Sequence, residues 1–344
     1  MTNEALSEER PAMRTLSDVP EIFLDPRTGA PAWGSYRGSF RRIELGGLVR
    51  DRFERLATEK RWFYGAVAHE KLFIGFAVVD LGYAASAFAF AYEDGRGLLV
   101  DRSLMGVPRL CRVTQKDDRR IDARFVAPGA SMRVVARDSD PSIELAIRVP
   151  GLDLQATLEG RGAPPALTAV APIPRGVVNT TEKRVSMPVR GAALIGGRRV
   201  ELDGALGGYD YTHGLLARTT RWNWAFLLGH AVSGERVGLN LVQGFVGEPE
   251  CAVWIDGEVH PLGEGRFEHD RDAPERPWRV RTDDGAVDLA FAPGAVHREE
   301  RDLGLVRSRF VQPIGTWSGT IRAEGRTLVL DRVVGVVEDQ DVKW

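Results

Sequence analysis

Residues 207–247 read GGYDYTHGLLARTTRWNWAFLLGHAVSGERVGLNLVQGFVG, and the spacing of their bulky side chains decides the fold. Side chains on an extended strand alternate between faces, so Trp222, Trp224, Phe226 and Leu228 fall on one side and Asn223, Ala225 and Leu227 on the other. Ser233-Gly234 supplies a hairpin turn, and an apolar strand from Val237 to Val242 follows it. The period is two rather than 3.6, and the unit it predicts is an antiparallel hairpin with one aromatic face.

The same grammar extends in both directions. Upstream, short apolar runs from Trp62 onward are broken by turn signals at His69-Glu70, Glu93-Asp94-Gly95, Pro128-Gly129 and Pro150-Gly151; downstream they recur at Asp256-Gly257, Asp283-Asp284-Gly285 and Glu324-Gly325. Many short strands joined by tight turns predict an all-β chain of sandwich or barrel type. Helical spacing occurs at Val49, Phe53 and Leu56 in VRDRFERLATEK, which predicts one short amphipathic helix before Arg61. Leu72 to Ala91 has the length of a membrane span but contains Asp80 and two glycines, so it reads as two adjacent buried strands.

At 344 residues the chain is long for one sandwich and comfortable for two units. A stretch of prolines and small residues around 160–176 marks the division. The expected layout is a flexible tail at 1–20, an N-terminal β-domain at 21–165, a proline-rich linker at 166–180 and a C-terminal β-domain at 181–344. An internal repeat supports two units: RWFYGAVAHEKLFIGFAVVD from Arg61 aligns with RWNWAFLLGHAVSGERVGLNLVQ from Arg221 once the second turn is allowed three extra residues.

Composition narrows the function. The chain has 46 basic and 48 acidic residues, and the basic ones are scattered singly or in pairs, which argues against nucleic acid or anionic membrane as the main partner. Cys111 and Cys251 are far apart and lack CxxC or zinc spacing, so a reduced, cytoplasmic setting without structural metal fits. The opening MTNEALSEERPAMRTL is acidic and lacks the apolar core of a secretory leader. No GxGxxG opening a helix, phosphate loop, GxSxG elbow or HExxH occurs, which removes nucleotide cofactors, serine-hydrolase chemistry and zinc-protease chemistry; no cofactor is expected.

The densest chemistry is Tyr209-Asp210-Tyr211-Thr212-His213-Gly214. If extended, Tyr209, Tyr211 and His213 share a face and Asp210 and Thr212 take the other. His213 has an ordinary pKa near neutrality, which suits proton transfer, and Tyr211 and Asp210 complete the candidate catalytic group. The structural alternative is that Asp210 pairs with Arg218 or Arg221 and the phenols satisfy themselves at a barrel mouth. Tyr209, Trp222, Trp224 and Asn240 are the candidate ligand contacts. The tryptophans are either barrel core or a π wall, and Asn240, an amide in an apolar strand, either ties the barrel or holds a ligand. His230, His260, His269 and His297 lie near turns or in charged segments and are expected at the surface.

The Asp210-x-Thr212-x-Gly214 segment, the Arg-Thr-Thr-Arg-Trp222-x-Trp224 run, Gly238-Leu-Asn240-Leu and the closing Gly335-Val-Val-Glu338-Asp339 with Trp344 resemble the bacterial family DUF2804. More distantly, the chain is similar to calycin-like proteins that include the AttH group and the carotenoid hydratase CrtC. That resemblance implies two lipocalin-like (calycin-like) antiparallel β-barrels or open sandwiches packed side by side, with few short helices. In those proteins the comparable segment reads Asp-His-x-Trp-Gly ahead of a Trp-rich strand. Here Asp210 and Gly214 match, while Tyr211 stands for the His and His213 for the Trp. The hydratase's acidic residue falls near Asn240, and an amide cannot deliver a proton as a carboxylic acid can.

Two readings follow. One is a lipocalin-like protein that binds an apolar small molecule, a lipid or isoprenoid, in a Trp/Tyr-lined cavity of the C-terminal domain. The other is an acid–base hydratase, lyase, isomerase or cyclase acting on a hydrophobic substrate in that cavity without a nucleotide cofactor. Neither involves nucleic acid or an integral membrane segment.

Overall fold

The computed structural model describes residues 15–49, 51–115, 119–136, 141–302 and 307–344, so most of the expected tail at 1–20 lies outside the described residues. Within them the chain is all-β, in two antiparallel sheets that each curl into a barrel. The first sheet runs in space from Gly97–Gly106 through Ala85–Glu93, Leu72–Asp80 and Glu59–His69 to Leu206–Leu215. It continues through Val178–Ile195, Leu152–Leu158, Ile143–Val149, Ala130–Ala136 and Ile121–Ala127 to Cys111–Gln115. The second runs from Glu258–Pro261 through Ala252–Ile255, Arg236–Gly244 and Thr219–His230 to the C-terminal strand Arg326–Lys343. From there it passes through Arg307–Ala323, Val287–Asp302 and Trp278–Thr282 to Gly265–Glu268.

The two sheets are wired alike. Glu59–His69 lies between its hairpin partner, Leu72–Asp80, and the last strand of its own sheet, Leu206–Leu215. Thr219–His230 lies in the same way between Arg236–Gly244 and Arg326–Lys343. These central strands are the two copies of the repeat beginning at Arg61 and Arg221. The repeat is therefore structural as well as textual.

Alternation of side chains builds the packing. In Ala85–Glu93, ASAFAFAYE, the alanines at 85, 87, 89 and 91 join the core of the first barrel, while Phe88, Phe90 and Tyr92 pack with the second half. Tyr64 meets Trp224 edge-on with ring centroids 5.0 Å apart, and Trp62 stacks on Trp222 at 6.1 Å. Such aromatic pairs add about 0.5–1.5 kcal/mol each beyond the area they bury. Close approach is needed elsewhere: a Cβ on Gly238 would lie 2.4 Å from Val185 Cγ1 of the facing sheet.

Two expectations are corrected. Residues 166–180 are not a free linker, because Leu167–Pro172 is a strand paired with Val178–Ile195 and with Gly34–Arg37. The prolines sit before this strand and at its end, where a missing N–H costs no ladder bond, and the apolar run between them pairs normally. The chain passes from the first sheet to the second between Leu215 and Thr219. The helix forms at Arg52–Thr58, capped by Asp51 Oδ1 accepting from the backbone N–H groups of Phe53 and Glu54. Its apolar stripe is not buried, however: Phe53 is 71% exposed and Leu56 46%. Among the described residues no helix is long and apolar enough to cross a membrane.

Candidate functional site

A cavity of about 320 Å³ lies between the barrels rather than inside the second one. Its walls are mainly aromatic, with Trp62, Tyr64 and Phe88 from the first half and Trp222, Trp224 and Phe310 from the second. The aromatic face of residues 222–228 exists as expected, but it looks outward from its own barrel toward the partner barrel. Six acidic or basic side chains line the same space: Lys183, Asp210, Glu250 and Glu338, and the Glu299–Arg301 ion pair.

Lys183, Asp210 and Glu250 form one buried cluster. Lys183 Nζ donates to Asp210 Oδ2 at 2.5 Å and lies 3.2 Å from Glu250 Oε2. Burial alone would lower the Lys183 pKa, but the two carboxylates outweigh it and hold the ammonium above its ordinary value. The hydroxyls of Thr181 and Thr212 donate to Asp210 Oδ1 at 3.0 and 3.2 Å. Asn179 Nδ2 donates to Glu250 Oε1 at 3.0 Å.

Among the described residues Glu338 has no such cation. Its Oε1 accepts the indole N–H of Trp222 at 2.8 Å and its Oε2 accepts from Gln312 Nε2 at 2.9 Å. Burial first, and then the charges of Asp210 and Asp339, push its carboxyl up to about 7, against the pull of those two hydrogen bonds. The result is an acid that keeps its proton in a large share of the molecules near neutral pH, beside an apolar wall.

The two carboxylates occupy equivalent places. Asp210 pairs across its sheet with Tyr64, and Glu338 pairs across its sheet with Trp224. Tyr64 and Trp224 are themselves matched positions of the repeat. On the other flank Asp210 faces Lys183, while Glu338 meets Gln312. One position thus has a cation beside it and the other a neutral amide, and their electrostatics diverge accordingly.

The predicted site residues separate by face. Asp210, Trp222 and Trp224 line the cavity; Tyr209, Tyr211 and His213 do not. Tyr209 belongs to the core of the first barrel, stacks on Phe63 at 5.5 Å and donates to Glu182 Oε1 at 2.6 Å. Tyr211 is fully buried in that core, and burial raises its phenol pKa. His213 Nε2 lies 2.8 Å from Glu59 Oε1, and burial holds the imidazole down to about 4. Because Arg55 and Arg61 hold Glu59 as an anion, Nε2 is the donor in that bond. Asn240 is fully buried and tethers the wall: its Oδ1 accepts the Trp224 indole N–H at 2.7 Å and its Nδ2 donates to the Glu250 carbonyl at 2.8 Å.

Of the histidines expected at the surface, His230 is exposed and His260 and His269 are half-buried. His297 is fully buried, with Nδ1 2.6 Å from Asp101 of the first barrel. Its charged-segment setting hid an apolar neighbour, the Phe88 ring, 4.8 Å away.

Sequence reasoning missed Lys183, Glu250, Tyr64 and Glu338 as site residues. The Tyr64 hydroxyl is buried without a hydrogen-bond partner among the described residues. A signal existed for two of them: Tyr64 matches Trp224 in the repeat, and Glu338 interrupts a valine-rich strand with a buried carboxyl. Glu250 follows Pro249 in a short 3-10 turn and carries no pattern of its own.

Paired curled β-barrels with an aromatic cavity between them give the chain an all-β, lipocalin-like fold. The chain belongs to the family DUF2804, described as a domain of unknown function, whose model matches residues 23–344. Its fold is similar to that of CghA, solved with Sch210972, at 11% identity, 84% of this chain, 89% of that one and a TM-score of 0.53. It is also similar to kievitone hydratase from Nectria haematococca, at 10% identity, 91% of this chain, 98% of that one and a TM-score of 0.50. A putative AttH protein from Nitrosomonas europaea aligns at 11% identity over 88% of this chain and 97% of that one, with a TM-score of 0.46. No curated protein matches the sequence. At these identities the likeness speaks to the fold alone.

Proposed function

We propose that the protein binds an apolar small molecule between its barrels and acts on it by acid–base chemistry, with Glu338 as the proton donor. The observation that carries this reading is the placement of Glu338: a buried carboxyl lining an aromatic cavity, aimed by Trp222 and Gln312 and, among the described residues, without an ion pair to neutralise it. A carboxyl tuned to about 7 suits a general acid at neutral pH.

The step is a transfer of the Glu338 proton to an alkene carbon or to a departing hydroxyl. The cation that forms faces the electron-rich rings of Trp222, Trp224 and Tyr64. The Glu338 carboxylate then recovers a proton from attacking water, which hydrates an alkene, or from a neighbouring carbon, which isomerises an alkene or completes the dehydration of an alcohol. Asp210 acts through Glu338, since its charge helps to keep that proton in place, and is a positioning residue. The orphan Tyr64 hydroxyl supports a ligand with one hydrogen-bonding oxygen on an otherwise apolar body.

The test is native mass spectrometry of gently purified protein, followed by incubation of the retained compound in D₂O with the wild type and with Glu338→Gln. Deuterium entering the compound with the wild type alone supports the enzyme. A retained compound that takes up no deuterium with either makes the protein a carrier.

A further inference from the structure

We propose that the outer face of the strands Cys111–Gln115, Ile121–Ala127 and Ala130–Ala136 docks on an anionic lipid surface. In the sequence Arg112, Arg124 and Arg133 are scattered. The register brings them into one row, with Arg112 opposite Arg124 and Arg124 opposite Arg133. All three are exposed, and among the described residues none makes an ion pair or a side-chain hydrogen bond. Asp122 and Glu144, on the same face, have interactions of their own.

Like charges directly opposite one another in a sheet destabilise it. A row of three without acids is therefore a cost to the free protein that an anionic partner removes. Strands lie about 4.8 Å apart, so the guanidinium groups span roughly 10 Å, a spacing that fits several headgroup phosphates.

The apolar residues beside the row favour lipid over a soluble polyanion. Leu110, two residues or about 7 Å along the chain from Arg112, is 41% exposed, and Val107 and Met105 beyond it are 47% and 50% exposed. Aliphatic side chains ahead of arginines match a bilayer, in which the acyl boundary lies just beneath the phosphates. A nucleic acid or acidic peptide has no use for that fringe. Met105 also lines the cavity, so docking brings one wall of the cavity toward the membrane, where apolar molecules reside. The inference goes beyond the proposed chemistry and does not depend on it.

The test is flotation of the full chain with vesicles of phosphatidylcholine alone and of phosphatidylcholine with phosphatidylglycerol. Binding is expected only with phosphatidylglycerol and weakens with salt. Each arginine contributes roughly fivefold, so Arg112→Gln/Arg124→Gln/Arg133→Gln binds about a hundredfold more weakly. That variant unfolds at the same or a higher denaturant concentration, because the repulsion is gone. Val107→Asp/Leu110→Asp also binds more weakly although the arginine row is intact. The proposal is overturned if the wild type ignores phosphatidylglycerol vesicles, if the triple variant binds them as the wild type does, or if the row retains the protein on heparin while vesicles do not. Deuterium incorporation by Glu338 is a separate readout, so either idea can fail alone.

Discussion

Trp222 donates its indole N–H to Glu338 across 2.8 Å while its ring stacks on Trp62 of the other barrel. One side chain thus aims the acid and closes the wall of the cavity. This coupling means that the packing between the barrels and the state of the acid are read by the same experiments.

The carboxyl of Glu338 makes stability depend on pH. Below about 4.5 it is protonated in both folded and unfolded chains and contributes nothing. Between 4.5 and about 7 the unfolded chain releases its proton first, so the folded state loses ground as pH rises, by about 3 kcal/mol in all, and the loss is complete above 7. Glu338→Gln removes that loss. The variant's melting temperature is expected to match the wild type near pH 4.5 and to exceed it increasingly up to pH 7, measured by calorimetry across that window.

Lys183 holds two buried carboxylates, Asp210 and Glu250. Lys183→Met leaves both unpaired and is expected to cost about 3–5 kcal/mol. Adding Asp210→Asn to it restores part of that loss, as a double-mutant cycle in urea detects. Asp210→Asn alone also lowers the Glu338 pKa, because the Asp210 charge is one of the influences that raise it.

Asn240 predicts a separable effect on the wall. Asn240→Ala orphans the Trp224 indole N–H and the Glu250 carbonyl, at about 1–3 kcal/mol for each group. The freed indole is expected to loosen the cavity, read as weaker retention of an apolar fluorescent probe with the Glu338 titration unchanged.

His297 joins the barrels in a pH-dependent way. Burial alone would lower its pKa, but Asp101 and Glu299 outweigh that and raise it to about 9. A raised histidine pKa stabilises fully below its unfolded value of 6.5, and that stability fades as pH rises through 9. The urea midpoint should fall between pH 6.5 and 9 in the wild type, whereas in His297→Gln that slope should be absent.

Much of the fold was legible because strand alternation and hairpin turns are local signals. The aromatic side of residues 222–228, the pair of hairpins at Arg61 and Arg221, and the split of Tyr209, Tyr211 and His213 from Asp210 and Thr212 all follow from a period of two. The direction in which each face points is not local. Nothing within residues 207–247 says that Trp222 and Trp224 look toward another barrel, so the cavity was expected inside the C-terminal one. The site draws Lys183, Asp210 and Glu338 from three strands spread over 156 positions, and only the sheet register brings them together. The strand Leu167–Pro172, flanked by prolines, misled for a related reason: a proline's cost depends on where it falls in the ladder, which the sequence does not state.

The titration of Glu338 tests the central claim most directly. Carbon-13 NMR of labelled glutamate carboxyls, with Glu338 assigned from Glu338→Gln, follows its protonation in the intact protein. The account predicts a midpoint near 7 that moves down in Asp210→Asn. A midpoint in the ordinary carboxylate range near 4.5, unmoved by Asp210→Asn, would leave no proton donor at neutral pH and contradict it.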